Sequence, residues 1–163
     1  ARIAGQSLMY PRIPKSGDEG IADLVAARTV HFDAIIARAL QNVDQFVLMG
    51  AGYDTRAYGD LVSSDVTFFE VDQAVVQNHK RAMIDAADIR CAHVNFVAVD
   101  FSVDDLFSKL TEAGFDASRK TFFLWEGVSL YLSAEQVAST LALVKQNAAP
   151  ASVIVADLYA DRF

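Results

Sequence analysis

The sequence has 163 residues, enough to bury one core of ordinary size and too few for two ordinary domains, and with 53% of them hydrophobic and 21% charged it is too apolar for a disordered chain. A formal charge of −7 leaves no basic face with which to displace counterions from a nucleic acid or to meet an anionic membrane surface. The single cysteine, Cys91, cannot form an internal disulfide, and no cysteine pair or His-x-x-x-His spacing signals a metal, so a reduced, cytoplasmic, metal-free protein is expected.

Residues 1 to 20 carry Gly5, Pro11, Pro14, Gly17 and Gly20 among scattered apolar residues, the punctuation of an irregular lead-in, with Tyr10 as its candidate for inward packing. A chain that opens on Ala1 is expected to be a processed product or a fragment. No apolar run reaches the roughly 18 residues of a membrane span, and no signal-peptide pattern is present. From Asp18 onward, Ile21, Leu24, Val25, Phe32, Ile35, Ile36 and Leu40 recur at three and four, predicting a helix over 21 to 41 with this stripe on a sheet. Arg28 lies on the same stretch, where a solvated surface charge is the plain reading.

Phe46 to Met49 form the short apolar run of a strand covered on both sides, and Gly50-Ala51-Gly52 ends it at once. Glycines there let the backbone turn sharply and let a ligand approach closely beyond the strand's carboxyl end, which predicts a nucleoside cofactor. A dinucleotide fingerprint needs a third glycine where this chain has Thr55, so pyrophosphate binding and a nicotinamide-dependent oxidoreductase are disfavoured. A short helix or turn is expected over 54 to 62, and a second strand over 66 to 71. Asp72 at its tip stands about 20 positions after the first glycine, where an acidic side chain grips ribose hydroxyls.

A helix over 73 to 87 is expected to present Val75, Val76, His79, Met83 and Ala86. Val94 to Val99 read as a third strand closed by Asp100-Phe101, followed by a helix over 103 to 113 that Asp104-Asp105 would start and Leu106, Phe107 and Leu110 would anchor. Thr121 to Trp125 predict a fourth strand, with Trp125 and the phenylalanines in the core. Ser133 with Gln136 makes a capping box for a helix that ends near Asn147, and Ser152 to Ala156 predict a fifth strand. Right-handed crossovers turn this alternation into an α/β fold, a doubly wound Rossmann-like parallel sheet of order 3-2-1-4-5 with its ligand cleft between strands 1 and 4. Asp72 and Asp100 have plain alternatives as helix caps, Glu126 as the partner of a backbone amide and Tyr131 as a packed tyrosine.

Three segments then carry a resemblance: Gly50-Ala51-Gly52-Tyr53-Asp54-Thr55-Arg56, Phe69-Glu70-Val71-Asp72-Gln73, and Leu124 to Leu132, which reads Leu-Trp-Glu-Gly-Val-Ser-Leu-Tyr-Leu. In order and spacing they resemble the leucine carboxyl methyltransferase-like family of S-adenosylmethionine-dependent methyltransferases over about residues 21 to 160. The resemblance implies S-adenosyl-L-methionine as cofactor and S-adenosyl-L-homocysteine as product. It implies that Arg28 meets the cofactor's carboxylate, that Gly50, Ala51 and Gly52 lie along its methionine portion, and that Asp72 with Gln73 takes the ribose. Asp100 and Phe101 would receive the adenine, and Glu126 and Gly127 would line the cleft after strand 4. The activity it implies is O-methylation of a carboxylate or hydroxyl on a small molecule or peptide, with Glu126 or Tyr131 as the nearest candidates for a base. The family's sheet continues past a fifth strand with acceptor-binding helices and two further strands, so this sequence is expected to form a single cofactor-binding domain without that part. Its open fifth strand would be covered by a second copy of the chain. The alternative is a non-catalytic or truncated cofactor-binding or interaction module.

Overall fold

The computed structural model describes residues 19–59 and 65–158. The expectations for the lead-in, Tyr10 and most of the segment after Gly59 therefore lie outside the described residues. Five strands, β1 (Gln45–Met49), β2 (Thr67–Asp72), β3 (Val94–Ala98), β4 (Thr121–Trp125) and β5 (Val153–Ala156), form one parallel sheet in the order β3-β2-β1-β4-β5. Four helices, α1 (Glu19–Ala39), α2 (Ala74–Ala86), α3 (Leu106–Glu112) and α4 (Ala134–Asn147), accompany it. The architecture expected from the sequence is the one observed.

The period of two along each strand divides the core into two layers. Phe46, Leu48, Phe68, Phe122 and Leu124 point to one face, where Phe32 and Ile36 of α1 pack. Val47, Met49, Phe69, Val71, Phe123 and Trp125 point to the other, beneath Leu106, Phe107 and Leu110 of α3 and Val144 of α4. Every residue of β1 and of β4 is buried, which is why their sequences read as unbroken runs rather than alternations. The Ser133–Gln136 capping box is formed in both directions.

Two helix faces differ from expectation. At 21 residues α1 is roughly 30 Å long, whereas five residues of β1 reach roughly 17 Å, so half of the helix overhangs the sheet. Phe32 and Ile36 pack, and Leu24 and Val25 are exposed rather than laid on the sheet. Arg28, one turn before Phe32 on the same face, is thereby set at the sheet's carboxyl rim.

In α2 the buried positions are Gln77, Lys80 and Ile84, and Val75 is exposed. Polar groups win this face because the sheet beneath it is polar there. Lys80 Nζ donates to Glu70 Oε2 at 2.7 Å, and Gln77 Nε2 donates to the carbonyls of Glu70 and Val97 at 2.8 and 2.9 Å.

The helix expected from 103 begins at Leu106, with Asp105 as its cap, accepting from the Ser108 amide. Asp104 belongs to the preceding turn: its Oδ2 accepts the Asp100 amide at 2.8 Å. A short acidic side chain that finds a nearby amide competes with helix formation, and here it delays the start.

Candidate functional site

Parallel strands place the loops that follow them on one rim, and the sheet order puts the turns after β1 and β4 side by side at the switch point. The turn after β1 folds back over β2, with the amides of Gly50 and Ala51 both donating to the Val71 carbonyl at 2.8 and 2.9 Å. Gly50 has φ +70°, and a Cβ there would run into the Val128 side chain that closes the turn after β4. A side chain at position 50 is therefore excluded twice, by conformation and by contact.

The Asp72 carboxylate lies against this turn. Its Oδ2 accepts the Gly52 amide at 2.6 Å and its Oδ1 the Gln73 amide at 2.7 Å. Two fixed donors orient the carboxylate, and each oxygen keeps acceptor capacity for a further donor. Asp72 does not cap α2, whose cap position is Gln73 without a side-chain bond. Asp100 does not cap a helix either. Its Oδ1 accepts from the hydroxyl and the amide of Ser102 at 2.5 and 2.9 Å, and the hydroxyl bond first, then the amide, holds its carboxyl below the usual range. Phe101 beside it is half-buried against the core layer of α3 and α4.

At the other side of the switch point lies an ion network whose pairings the sequence does not announce. Glu126 divides its two oxygens between two guanidiniums: Arg28 Nε reaches Oε1 at 2.8 Å and Arg56 Nη1 reaches Oε2 at 2.7 Å. Arg28 Nη1 also binds Asp157 Oδ2 at 2.7 Å, and Asp157 Oδ1 accepts the Gly127 amide at 2.8 Å. Arg56 is held further by Asp33 at 2.7 Å and by Asp54 at 2.5 Å. Burial would lower the Arg56 pKa, but Asp54, Asp33 and Glu126 together raise it above its ordinary value, so the guanidinium stays charged. The network joins α1, the turn after β1 and the tips of β4 and β5, with two guanidiniums among four carboxylates.

The plain readings of Arg28 and Glu126 are thus corrected. Arg28 is a tethered group rather than a solvated surface charge, and Glu126 bonds two arginines instead of a backbone amide. Tyr131 is corrected as well: it is 79% exposed on a 3₁₀ turn at Ser129–Tyr131, not packed. The structure gathers Arg28, Glu126 and Gly127 at the tip of β4, and Asp72 with Gly50, Ala51, Gly52 and Gln73 around the turn after β1. Asp100 and Phe101 follow β3, two strands from β1 on the same rim.

A family model described as leucine carboxyl methyltransferase matches residues 7–145, most of the chain. The chain belongs to the leucine carboxyl methyltransferase family. Among curated relatives, a protein of Mycobacteroides abscessus, named for an inferred S-adenosyl-L-methionine-dependent methyltransferase activity, is 35% identical over 137 residues, which cover 83% of this chain and 43% of the relative. A protein of Saccharopolyspora erythraea bearing the same name is 36% identical over 154 residues, covering 88% of this chain and 53% of the relative. This leucine carboxyl methyltransferase family member thus spans about half the length of the curated relatives it matches. Among solved structures, the apo S-adenosylmethionine-dependent methyltransferase SibL superposes with a TM-score of 0.59 at 16% identity, over 88% of this chain and 40% of that one, a likeness of fold.

Sequence reasoning missed Arg56, Asp33, Asp54 and Asp157 as members of this family member's rim network. Arg56 and Asp54 stand inside the quoted glycine motif, where their charges were a signal. Asp157 follows β5 and carries no local pattern at all.

Proposed function

We propose that this chain is the cofactor-binding domain of an S-adenosyl-L-methionine-dependent methyltransferase that methylates a carboxylate or hydroxyl oxygen on a small molecule or peptide. The single observation that carries the reading is the Asp72 carboxylate held 2.6 Å from the Gly52 amide, in a turn whose first residue, Gly50, admits no side chain. A nucleoside needs an acceptor pair for its two ribose hydroxyls and an open backbone beside them, and these residues fit that need.

In this reading Asp72, backed by Gln73, accepts from the ribose, and Asp100 and Phe101 take the adenine. Arg28 serves the cofactor's carboxylate, while Glu126, together with Asp157, serves its ammonium, each charge meeting its opposite. The Gly50-Ala51-Gly52 backbone passes the methionine portion. The cofactor, when bound, supplies an activated methyl group on a sulfonium. The residues then align and shelter it, because an in-line displacement that neutralises opposite charges is accelerated chiefly by alignment and exclusion of water. A carboxylate acceptor would need no base; for a hydroxyl, Glu126 and Tyr131 are the nearest candidates on the rim.

Calorimetry of the 163-residue chain with S-adenosylhomocysteine tests the reading: saturable one-to-one binding is expected, and tight binding of NAD with indifference to this ligand would overturn it. The second reading is a binding module without transfer activity, which a radiolabelled-methyl assay against carboxylate acceptors separates from an enzyme. Among the described residues no helix is long and apolar enough to cross a membrane, and the proposed setting is the cytoplasm. The outer edge of β5, where Val153 is 46% exposed, supports pairing with a second copy of the chain. Light scattering is expected to give a dimer mass at micromolar concentration, and a stable monomer would remove the idea.

A further inference from the structure

Arg56 reaches the rim from the turn after β1, although its charge could have been met by Asp54 beside it. Its Nη1 also takes Glu126 Oε2 at 2.7 Å, and its Nε takes Asp33 at 2.7 Å, with only 10% of the side chain exposed. The consequence falls on Glu126. An isolated arginine and glutamate close into a bidentate fork, two parallel bonds that satisfy both partners. Here one carboxylate oxygen is drawn to each guanidinium, so Glu126 cannot close on Arg28 alone.

We propose that Arg56 is a positioning residue, which holds the second oxygen of Glu126 away from Arg28, so that Glu126 meets Arg28 through one bond only and stays turned toward the ammonium of an amino-acid-bearing adenosyl ligand. The inference rests on the function proposed above. Its logic is competition. Without Arg56, the second oxygen of Glu126 closes on Arg28 as well, and the groups that serve the ligand's ammonium and carboxylate satisfy one another more fully instead. A lysine does not replace the arginine, because three carboxylates in different directions are met by a rigid planar fork and not by a single ammonium.

The test is calorimetry with two probes, S-adenosylhomocysteine and 5′-methylthioadenosine, which lacks the amino-acid end. Arg56→Gln is expected to weaken S-adenosylhomocysteine binding about tenfold while leaving 5′-methylthioadenosine unchanged. Glu126→Gln is expected to show the same selectivity, and the double variant to be no weaker than Glu126→Gln alone, as residues acting in one chain are not additive. Arg56→Lys keeps the charge and carries the test should Arg56→Gln not fold; it is expected to show a smaller loss with the same preference for the amino-acid-bearing probe. A loss shared equally by both probes, additive losses, or no loss with S-adenosylhomocysteine overturns the role of Arg56 and leaves the crevice assignment standing. A wild-type chain that binds neither probe overturns both.

Discussion

Lys80→Met is expected to lower the unfolding free energy by about 3–5 kcal/mol, the cost of leaving a buried charge without its partner. Glu70 is 1% exposed in the middle of β2, and the Lys80 side chain over it is 5% exposed, so neither charge is shared with solvent. Glu70 Oε2 has Lys80 at 2.7 Å, whereas among the described residues Oε1 and the Tyr58 hydroxyl are buried without a partner in hydrogen-bond geometry. They are nonetheless close enough to feel one another: burial first, and then the Glu70 charge, push the Tyr58 pKa up. Removing Lys80 takes away the ammonium on which the carboxylate depends.

Urea denaturation of the variant measures the loss, and the double variant Lys80→Met with Glu70→Met is expected to regain most of it, because an apolar pair of similar volume needs no mutual compensation. A double variant as unstable as the single one would show that packing rather than charge carries the effect. The pH dependence follows from the direction of the Glu70 shift. Burial raises its pKa, and Lys80 and then Tyr58 oppose that rise. A carboxyl whose folded pKa exceeds its unfolded value binds its proton more tightly in the folded chain, so stability falls as pH rises between the two values. Losing Lys80 moves the folded value higher still, and the deficit of the variant is therefore expected to shrink on acidification.

Asp72→Ala is expected to weaken binding of S-adenosylhomocysteine by about 1.5–3 kcal/mol, the range for hydrogen bonds to a charged group. The carboxylate has a second effect besides its proposed contact with ribose. By accepting the Gly52 and Gln73 amides it ties the turn after β1 to the start of α2, so the variant also loosens the two loops on either side of the proposed crevice. Asp72→Asn is informative beside it. An amide side chain offers one oxygen to two amide donors and must set its NH₂ against either Gly52 or Gln73, so a loss comparable to that of alanine is expected. Calorimetry reads both, and a folded Asp72→Ala chain with unaltered affinity would refute the ribose assignment.

The places where sequence and structure part company have a common cause. Apolar periodicity located α2 to within a residue at each end and still pointed it the wrong way, since Val75 stands in solvent and Lys80 in the core. A lysine is placed inside only when something inside wants it. Glu70 is that reason, and in the sequence it stands as one letter of a motif with nothing local to mark it as a buried charge in need of a partner. In α1 the same rule found the buried pair Phe32 and Ile36 but extended the stripe past the end of the strands it covers. Period reports a face, and only the length of the neighbouring element reports how much of that face is covered.

The sequence by itself determined the five strands, the glycine turn and the acidic tip of β2, because each of these is fixed by residues close to one another in the chain, and the handedness of the crossovers then gave the order in which the strands lie. Short buried runs, a capping box and a backbone that must turn without a Cβ are local demands. The tertiary structure alone decided which charges meet. Arg28 and Glu126 are 98 residues apart and Arg28 and Asp157 are 129 apart, and ion pairs over such distances exist only once the sheet has brought its carboxyl ends to one rim. A side chain's charge is legible from its letter, but its partner is chosen by the fold.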